Sequence, residues 1–147
     1  MTEPAITLEP TTASDLERVE ALLERNDLPY EDVRTGEGEF FLASADGEFV
    51  GVGGLETHGA EGLLRSVVVS ASRRGRGLGA ALVAELEVRA DDRGVDSLYL
   101  LTTTAAAFFE RQGFEAVERD AAPPAVRGMT EFRDLCPASA TCMRKIL

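Results

Sequence analysis

The chain has 147 residues, 44% of them hydrophobic and 28% charged, enough for one domain whose core folds without disulfides or metals. A formal charge of −11 and the lack of any Lys/Arg-rich tract argue against nucleic-acid binding, and no apolar run approaches the about 18 residues of a membrane span. Two cysteines are too few for a disulfide framework, and no basic segment followed by an apolar run marks a secretory signal, so a reducing, cytoplasmic setting is expected. Among 15 basic residues only Lys145 is a lysine, a pattern that suits solubility in high salt and equally an ordinary acidic bacterial protein.

In chain order, "ITL" at Ile6 to Leu8 reads as a short strand. In "TTASDLERVEALLERN", Ser14 with Glu17 reads as a capping box ahead of Leu16, Val19, Leu22 and Leu23 at helical spacing, so a helix is expected from near Ser14. From Asn26 to Glu39 turn residues and charges dominate, which predicts a loop of the kind that borders sites. "FFLASADGEFVGVGGLE" predicts two strands around the turn Asp46-Gly47, and "THGAEG" a second turn before the strand "LLRSVVVS", giving three sequential antiparallel strands. The only histidine, His58, falls at that turn as an exposed residue. A helix is expected from Gly77 to about Asp92, with Leu78, Ala81, Leu82, Leu86 and Val88 as its apolar positions and Gly94 as its stop. Then follow a strand "SLYLLTTT", a short helix "AAAFFERQ" closed by Gly113, a strand "FEAVE", a turn-rich stretch with a brief helix, and a last strand "ATCMRKI". No repeat or linker divides this order, so residues 1–147 read as a single domain.

The segment "SRRGRGLGA", Ser72 to Ala80, joins a strand to a helix and concentrates three glycines and three arginines in an acidic chain. Glycine at 75, 77 and 79 permits positive φ and brings backbone N–H groups close to a ligand, while the helix N-terminus and Arg73, Arg74 and Arg76 favour an anion. A solvated strand-to-helix turn is the plainer alternative. There is no GK[ST] ending for a Walker loop. "GRGLGA" formally fits a dinucleotide fingerprint, but that motif follows the first strand of a parallel unit, and here it follows an antiparallel meander.

"VVVSASRRGRGLGAALV" resembles the acetyl-coenzyme A signature R/Q-x-x-G-x-G/A of the GNAT N-acetyltransferases, with Arg74, Gly77 and Gly79 at its fixed positions, and "AAAFFERQGFEAV" resembles that family's second segment. Within the family, "GLLRSVVV", "LYLLTTTAAAFFERQGF" and "EFRDLCPASATCMRK" are similar to the small acetyltransferases encoded with arsenic-resistance genes and, more distantly, to the acetyltransferase domain of N-acetylglutamate synthase. The resemblance implies an α/β GNAT fold: a mixed, largely antiparallel sheet with splayed central parallel strands and flanking helices. It further implies acetyl-CoA as co-substrate, held by backbone at Val67 and Val69 and by Arg74, Gly75, Arg76, Gly77, Leu78, Gly79 and Ala80, with Thr102, Phe108 and Phe109 beside it. The backbone N–H near Val68 would hold the thioester oxygen.

Phe109 stands where many relatives have a tyrosine that protonates the leaving thiolate, and Thr102 replaces a frequent asparagine. For Phe108 and Phe109, helix packing is the alternative to coenzyme contact. Arg65, placed by strict alternation on the face of Val67 and Val69, either pairs with Glu56 as a cross-strand diagonal neighbour or anchors a substrate carboxylate, and Glu56 would draw a proton from the incoming amine through water. Tyr30 lies in the loop expected to border the acceptor, and Ser139 resembles a position near substrate in glutamate-acetylating relatives. Cys136 and Cys142 suggest soft-metal ligands less than buried small hydrophobes, and no metal site is expected. The expected activity is acetylation of the α-amine of a small acidic amino acid or of an arsenic- or phosphinate-containing glutamate analogue, by a monomer or homodimer. A catalytically idle acyl-CoA sensor that binds a partner protein is the alternative.

Overall fold

A computed structural model describes residues 5–26, 28, 30, 33, 38–70, 77–129 and 140–147. Its strands are β1 (Thr7–Pro10), β2 (Glu39–Ala45), β3 (Glu48–His58), β4 (Glu61–Val69), β5 (Ser97–Thr102), β6 (Glu115–Ala116) and β7 (Thr141–Ile146). Its helices are α1 (Leu16–Arg25), α2 (Leu78–Asp92), α3 (Ala106–Arg111) and α4 (Pro124–Arg127). The strands form one sheet in the order β1-β2-β3-β4-β5-β7-β6, in which every pairing is antiparallel except β4 with β5.

The meander β2-β3-β4 follows from its turns. Asp46 and Gly47, at φ of +53° and +79°, form the doubly left-handed turn that matches strand twist in a two-residue hairpin. Gly59 at +59° opens the next turn, leaving His58 exposed at the end of β3. α1 starts later than the sequence suggests, after a 3-10 turn over Ala13–Asp15. The residues around its entry are Thr12 and Asp15, not Ser14 and Glu17: the Thr12 N–H and hydroxyl both donate to Asp15 Oδ2 at 2.9 Å. Two overlapping Ser/Thr-x-x-acid pairs compete in "TTASDLE", and the earlier one prevails. These hydrogen bonds from Thr12 hold the Asp15 carboxyl below its ordinary range.

One face of the sheet carries the main core. Beneath α2 and α3 lie Phe41, Val50, Leu55, Leu64, Leu98, Leu100 and Met143, and α2 contributes Leu78, Ala81, Leu82, Val83, Leu86 and Ala90. Full burial of a leucine is worth roughly 1.5–3 kcal/mol, so this helix is the principal apolar cover. Val88, expected inside, is 53% exposed, because it lies off the stripe that Leu82, Leu86 and Ala90 define. Gly53 gives α2 its close seat on β3, since a Cβ there would lie 2.6 Å from a Leu86 methyl.

The opposite face is divided. Under α1 sit Val19, Leu23, Phe40, Val52 and Val68, and near α4 sit Leu63, Tyr99, Val126, Met129 and Cys142. At the far edge β6 is only two residues long, shorter than "FEAVE" suggests, because its ladder with β7 ends at Ala116↔Met143. Lys145 ties this edge to both helices of the main face, its ammonium donating to Glu87 at 2.7 Å and to the Gln112 carbonyl at 2.8 Å while lying 5.9 Å from the Phe114 ring centroid.

Candidate active site

The two parallel strands at the sheet centre part company halfway. Their pairing runs through Glu61↔Ser97, Gly62↔Leu98 and Leu63↔Tyr99 and stops, although β4 stays paired with β3 as far as Val69 and β5 with β7 as far as Thr102. From Leu64 and Leu100 onward, the edges that face each other have no strand between them. An extended ligand rich in amides could lie along such an edge and hydrogen-bond to its backbone. The splay thus falls where the sequence comparison put it, between the strands near Val67 and Leu100.

α2 begins at the mouth of this gap. Gly77, its N-cap, has φ +76° and ψ 7°, a left-handed conformation that glycine adopts without steric cost. The first bond into the helix comes from Ala81 N–H to the Gly77 carbonyl at 3.2 Å, so the N–H groups of Leu78, Gly79 and Ala80 precede the ladder at the positive end of the dipole. Gly79 lets α3 approach: a Cβ would stand 3.3 Å from the Phe108 ring and 3.9 Å from a Val69 methyl. Gly79, Phe108 and Val69 therefore meet at one wall of the opening. Arg74, Gly75 and Arg76 lie outside the described residues.

The other wall is the start of α3, where Thr102 Oγ1 accepts from the Ala105 N–H at 3.0 Å and shapes the turn after β5. Phe109 belongs to the core. It is 8% exposed and packs edge-on against Phe108 at 5.0 Å and Phe114 at 5.7 Å between ring centroids. An aromatic ring without a hydroxyl is at home there, and it offers no proton.

On the opposite face, between the two apolar clusters, lie Glu56, Arg65 and Ser66, the three polar residues that are buried among the described ones. Arg65 is not on the face of Val67 and Val69. The register passes from Gly54↔Arg65 to Val52↔Val68, so Ser66 and Val67 together face the single residue Gly53, and this bulge shifts the alternation by one. Ser66 sits at φ +60°, Val67 and Val69 turn toward the main core, and Arg65 shares its face with Leu63 and Val68. Glu56 pairs directly with Leu63, which makes it the diagonal neighbour of Arg65, as the hairpin position predicts. The Arg65 Nε–H donates to Ser66 Oγ at 3.1 Å, and its guanidinium carbon lies 5.3 Å from the Phe40 ring centroid.

Tyr30 packs, half-buried, against the α1-side cluster on this same face, whereas Ser139 and Cys136 lie outside the described residues. Cys142 is a buried free thiol whose burial pushes it above its ordinary range, the behaviour of a small apolar residue and not of a ligand. Among the described residues no group of three His, Cys, Asp or Glu side chains could hold a metal, and no helix is long and apolar enough to cross a membrane.

The sequence reading missed Ser66, Gly54 and Phe40. Gly54 was legible only as one of several glycines in β3, yet a Cβ there would come within 3.0 Å of Phe40 and 3.1 Å of the Arg65 stem. Nothing in "LLRSVVV" signals a bulge at a serine.

Comparison with known proteins resolves the fold family. The model of the acetyltransferase (GNAT) family matches residues 7–114. The chain belongs to that family. It is 27% identical over 107 residues to an uncharacterized N-acetyltransferase of Chlorobaculum tepidum, a match covering 71% of this chain and 65% of that protein. Among solved structures, N-acetylglutamate synthase from Neisseria gonorrhoeae, in complex with coenzyme A and N-acetyl-glutamate, superposes with a TM-score of 0.81 at 22% identity, covering 99% of this chain and 36% of that one. Rv2747 from Mycobacterium tuberculosis, in complex with CoA and NLQ, gives 0.74 at 25% identity over 96% of this chain and 99% of that one. This GNAT domain thus spans about a third of the synthase and 65% of the C. tepidum relative.

Proposed function

We propose that this GNAT domain is an acetyl-CoA-dependent N-acetyltransferase acting on the α-amine of a small acidic amino acid, or of a glutamate analogue bearing a phosphinate or arsinate. One observation carries the reading. At the point where β4 and β5 separate, the sheet has a backbone-lined gap and a left-handed glycine cap on one face, and a buried arginine and glutamate on the other.

The residues divide the work. The backbone of Val67 and Val69 meets the pantetheine amides, and the N–H groups of Leu78, Gly79 and Ala80, with Arg74, Gly75 and Arg76 before them, receive the pyrophosphate. Acetyl-CoA supplies an activated acyl carbon. The acceptor nitrogen attacks that carbon, a C–N bond forms, the C–S bond breaks, and the sulfur leaves with the electron pair. A backbone N–H of β4 near Val68 that faces the gap stabilises the oxygen on which charge develops, and Glu56 takes the ammonium proton through water. Arg65 holds the acceptor's acidic group with its planar fork, and Tyr30 and Ser139 are proposed as further acceptor contacts. Thr102 and Phe108 shape the wall, and Phe109 fills the position from which a tyrosine would donate. The thiolate then leaves without an acid from this chain, which its modest basicity permits, and the second proton that the nitrogen sheds goes to the thiolate through solvent. Acetylation removes the positive charge by which glutamate-using enzymes would recognise a toxic mimic.

The burial of Phe109 also favours a second reading, an acyl-CoA sensor without turnover. Thiol release from acetyl-CoA, followed across a panel of amino acids and amines, separates the two. The enzyme releases thiol with glutamate-like acceptors, and silence across the panel leaves the sensor. Preference for polyamines over acidic amino acids overturns the acceptor assignment.

A further inference from the structure

We propose that Ser66 is a positioning residue for acceptor recognition, its hydroxyl holding the guanidinium of Arg65 in the plane that receives the acceptor's acidic group. This rests on the role given to Arg65 above.

Two independent observations meet at Ser66. It is one of only two non-glycine residues with positive φ among those described, and the other, Asp46, is in an exposed hairpin turn where such a conformation is routine. Ser66 is 7% exposed within a strand, where a left-handed serine is disfavoured and persists only if its surroundings impose it. The same residue accepts the Arg65 Nε–H at 3.1 Å. The bulge supplies the reason for both. With a regular strand, the side chains at 65 and 66 would point to opposite faces; the left-handed turn at 66 brings the hydroxyl back to its neighbour's guanidinium. Gly54 and Phe40 complete the cradle around the arginine stem, since a Cβ at 54 would press on both.

A guanidinium has three faces of donors: Nε with one Nη edge, the other Nη edge, and the end between them. Fixing Nε fixes the plane, and orientation is what a bidentate contact to a carboxylate, phosphinate or arsinate requires. A glycine at 66 would adopt the backbone more comfortably but would lose the hydroxyl, so stability and recognition respond in opposite directions.

The test is steady-state kinetics on Ser66→Ala and Ser66→Gly with glutamate and with an amino acid lacking a side-chain acid. Thermal midpoints and acetyl-CoA affinity by calorimetry accompany the kinetics. Ser66→Ala is expected to raise the KM for glutamate about tenfold, as loss of a hydrogen bond to a charged group implies, with a smaller change in kcat and in acetyl-CoA affinity. Ser66→Gly shows the same KM increase without a lowered midpoint. In an Arg65→Ala background Ser66→Ala adds no further penalty. In the wild type an Arg Nε–H resonance, assigned by its absence from Arg65→Ala, exchanges slowly with solvent, and Ser66→Ala abolishes that protection. An unchanged glutamate KM in both Ser66 variants beside an impaired Arg65→Ala overturns the positioning role alone. An unimpaired Arg65→Ala overturns the acidic-acceptor reading, and the positioning role with it.

Discussion

The two faces of the central sheet are built differently. Beneath α2 and α3 a single apolar cluster runs from Ile6 to Met143, whereas the other face holds two smaller clusters with Glu56, Arg65 and Ser66 between them. If Arg65 and Glu56 act on the acceptor as proposed, the difference teaches where stability and recognition are kept apart. A continuous core gains from every methylene, and a seam of buried polar groups contributes little net stability but fixes direction. β4 serves both: its first half is paired on both sides, and its second half, past the end of the β5 ladder, turns Val67 and Val69 to one face and Val68 to the other.

The comparison breaks most readily on the main face. Leu86→Ala, at a fully buried position under α2, should cost about 2–5 kcal/mol in urea unfolding, and a loss below 1 would mean that this face is not the principal core. Gly77→Val forces a β-branched residue to a φ of +76°, which should cost about 1–2 kcal/mol, and by displacing the first turn of α2 it should weaken acetyl-CoA binding at least about tenfold in calorimetry. On the seam, the double variant Glu56→Gln/Arg65→Met removes both charges together. It should leave stability within about 1 kcal/mol of the parent, since replacing a buried charged pair is often neutral, while glutamate acetylation is lost. A large stability loss with intact turnover would make the seam structural.

Two smaller effects sharpen the picture at its margins. In a Cys136→Ser background, Cys142 should resist a thiol reagent at neutral pH until the protein unfolds, because burial raises its pKa and denies access. Asp15 tests the linkage with pH. Its folded pKa is lowered by the Thr12 hydrogen bonds, so the stability it contributes is present above the unfolded value and is lost as pH falls through the folded one. The midpoint difference between wild type and Asp15→Asn should be small, present near neutral pH, and should shrink as pH falls below the ordinary carboxylate range.

Much of this architecture was legible beforehand because local chemistry and tertiary demand agree. The Asp46-Gly47 turn, the apolar stripe of α2 and the glycines at 77, 94 and 113 each state in sequence what the chain does in space. The bulge was not, because a glycine would have announced positive φ and the residue there is Ser66. Reading strict alternation through it sent Arg65 to the wrong face while its neighbour Glu56 was placed correctly. β6 and the entry to α1 were misjudged at their ends, where a ladder of two pairs and two overlapping capping signals leave composition without authority. The candidate site was half visible for a similar reason: motifs mark the glycine-rich entry to α2, and the buried polar seam proposed for the acceptor is assembled from β2, β3 and β4 by packing.

Lys145, the only lysine of the chain, is committed to Glu87 and to the Gln112 carbonyl. Freeing its nitrogen would mean breaking the contact between α2 and the sheet edge. The chain thus presents no second lysine amine, and the one it has is held between two acceptors. Amine-directed labels will therefore find few lysine side chains to attach to, and the edge of the sheet should stay largely unmarked by them.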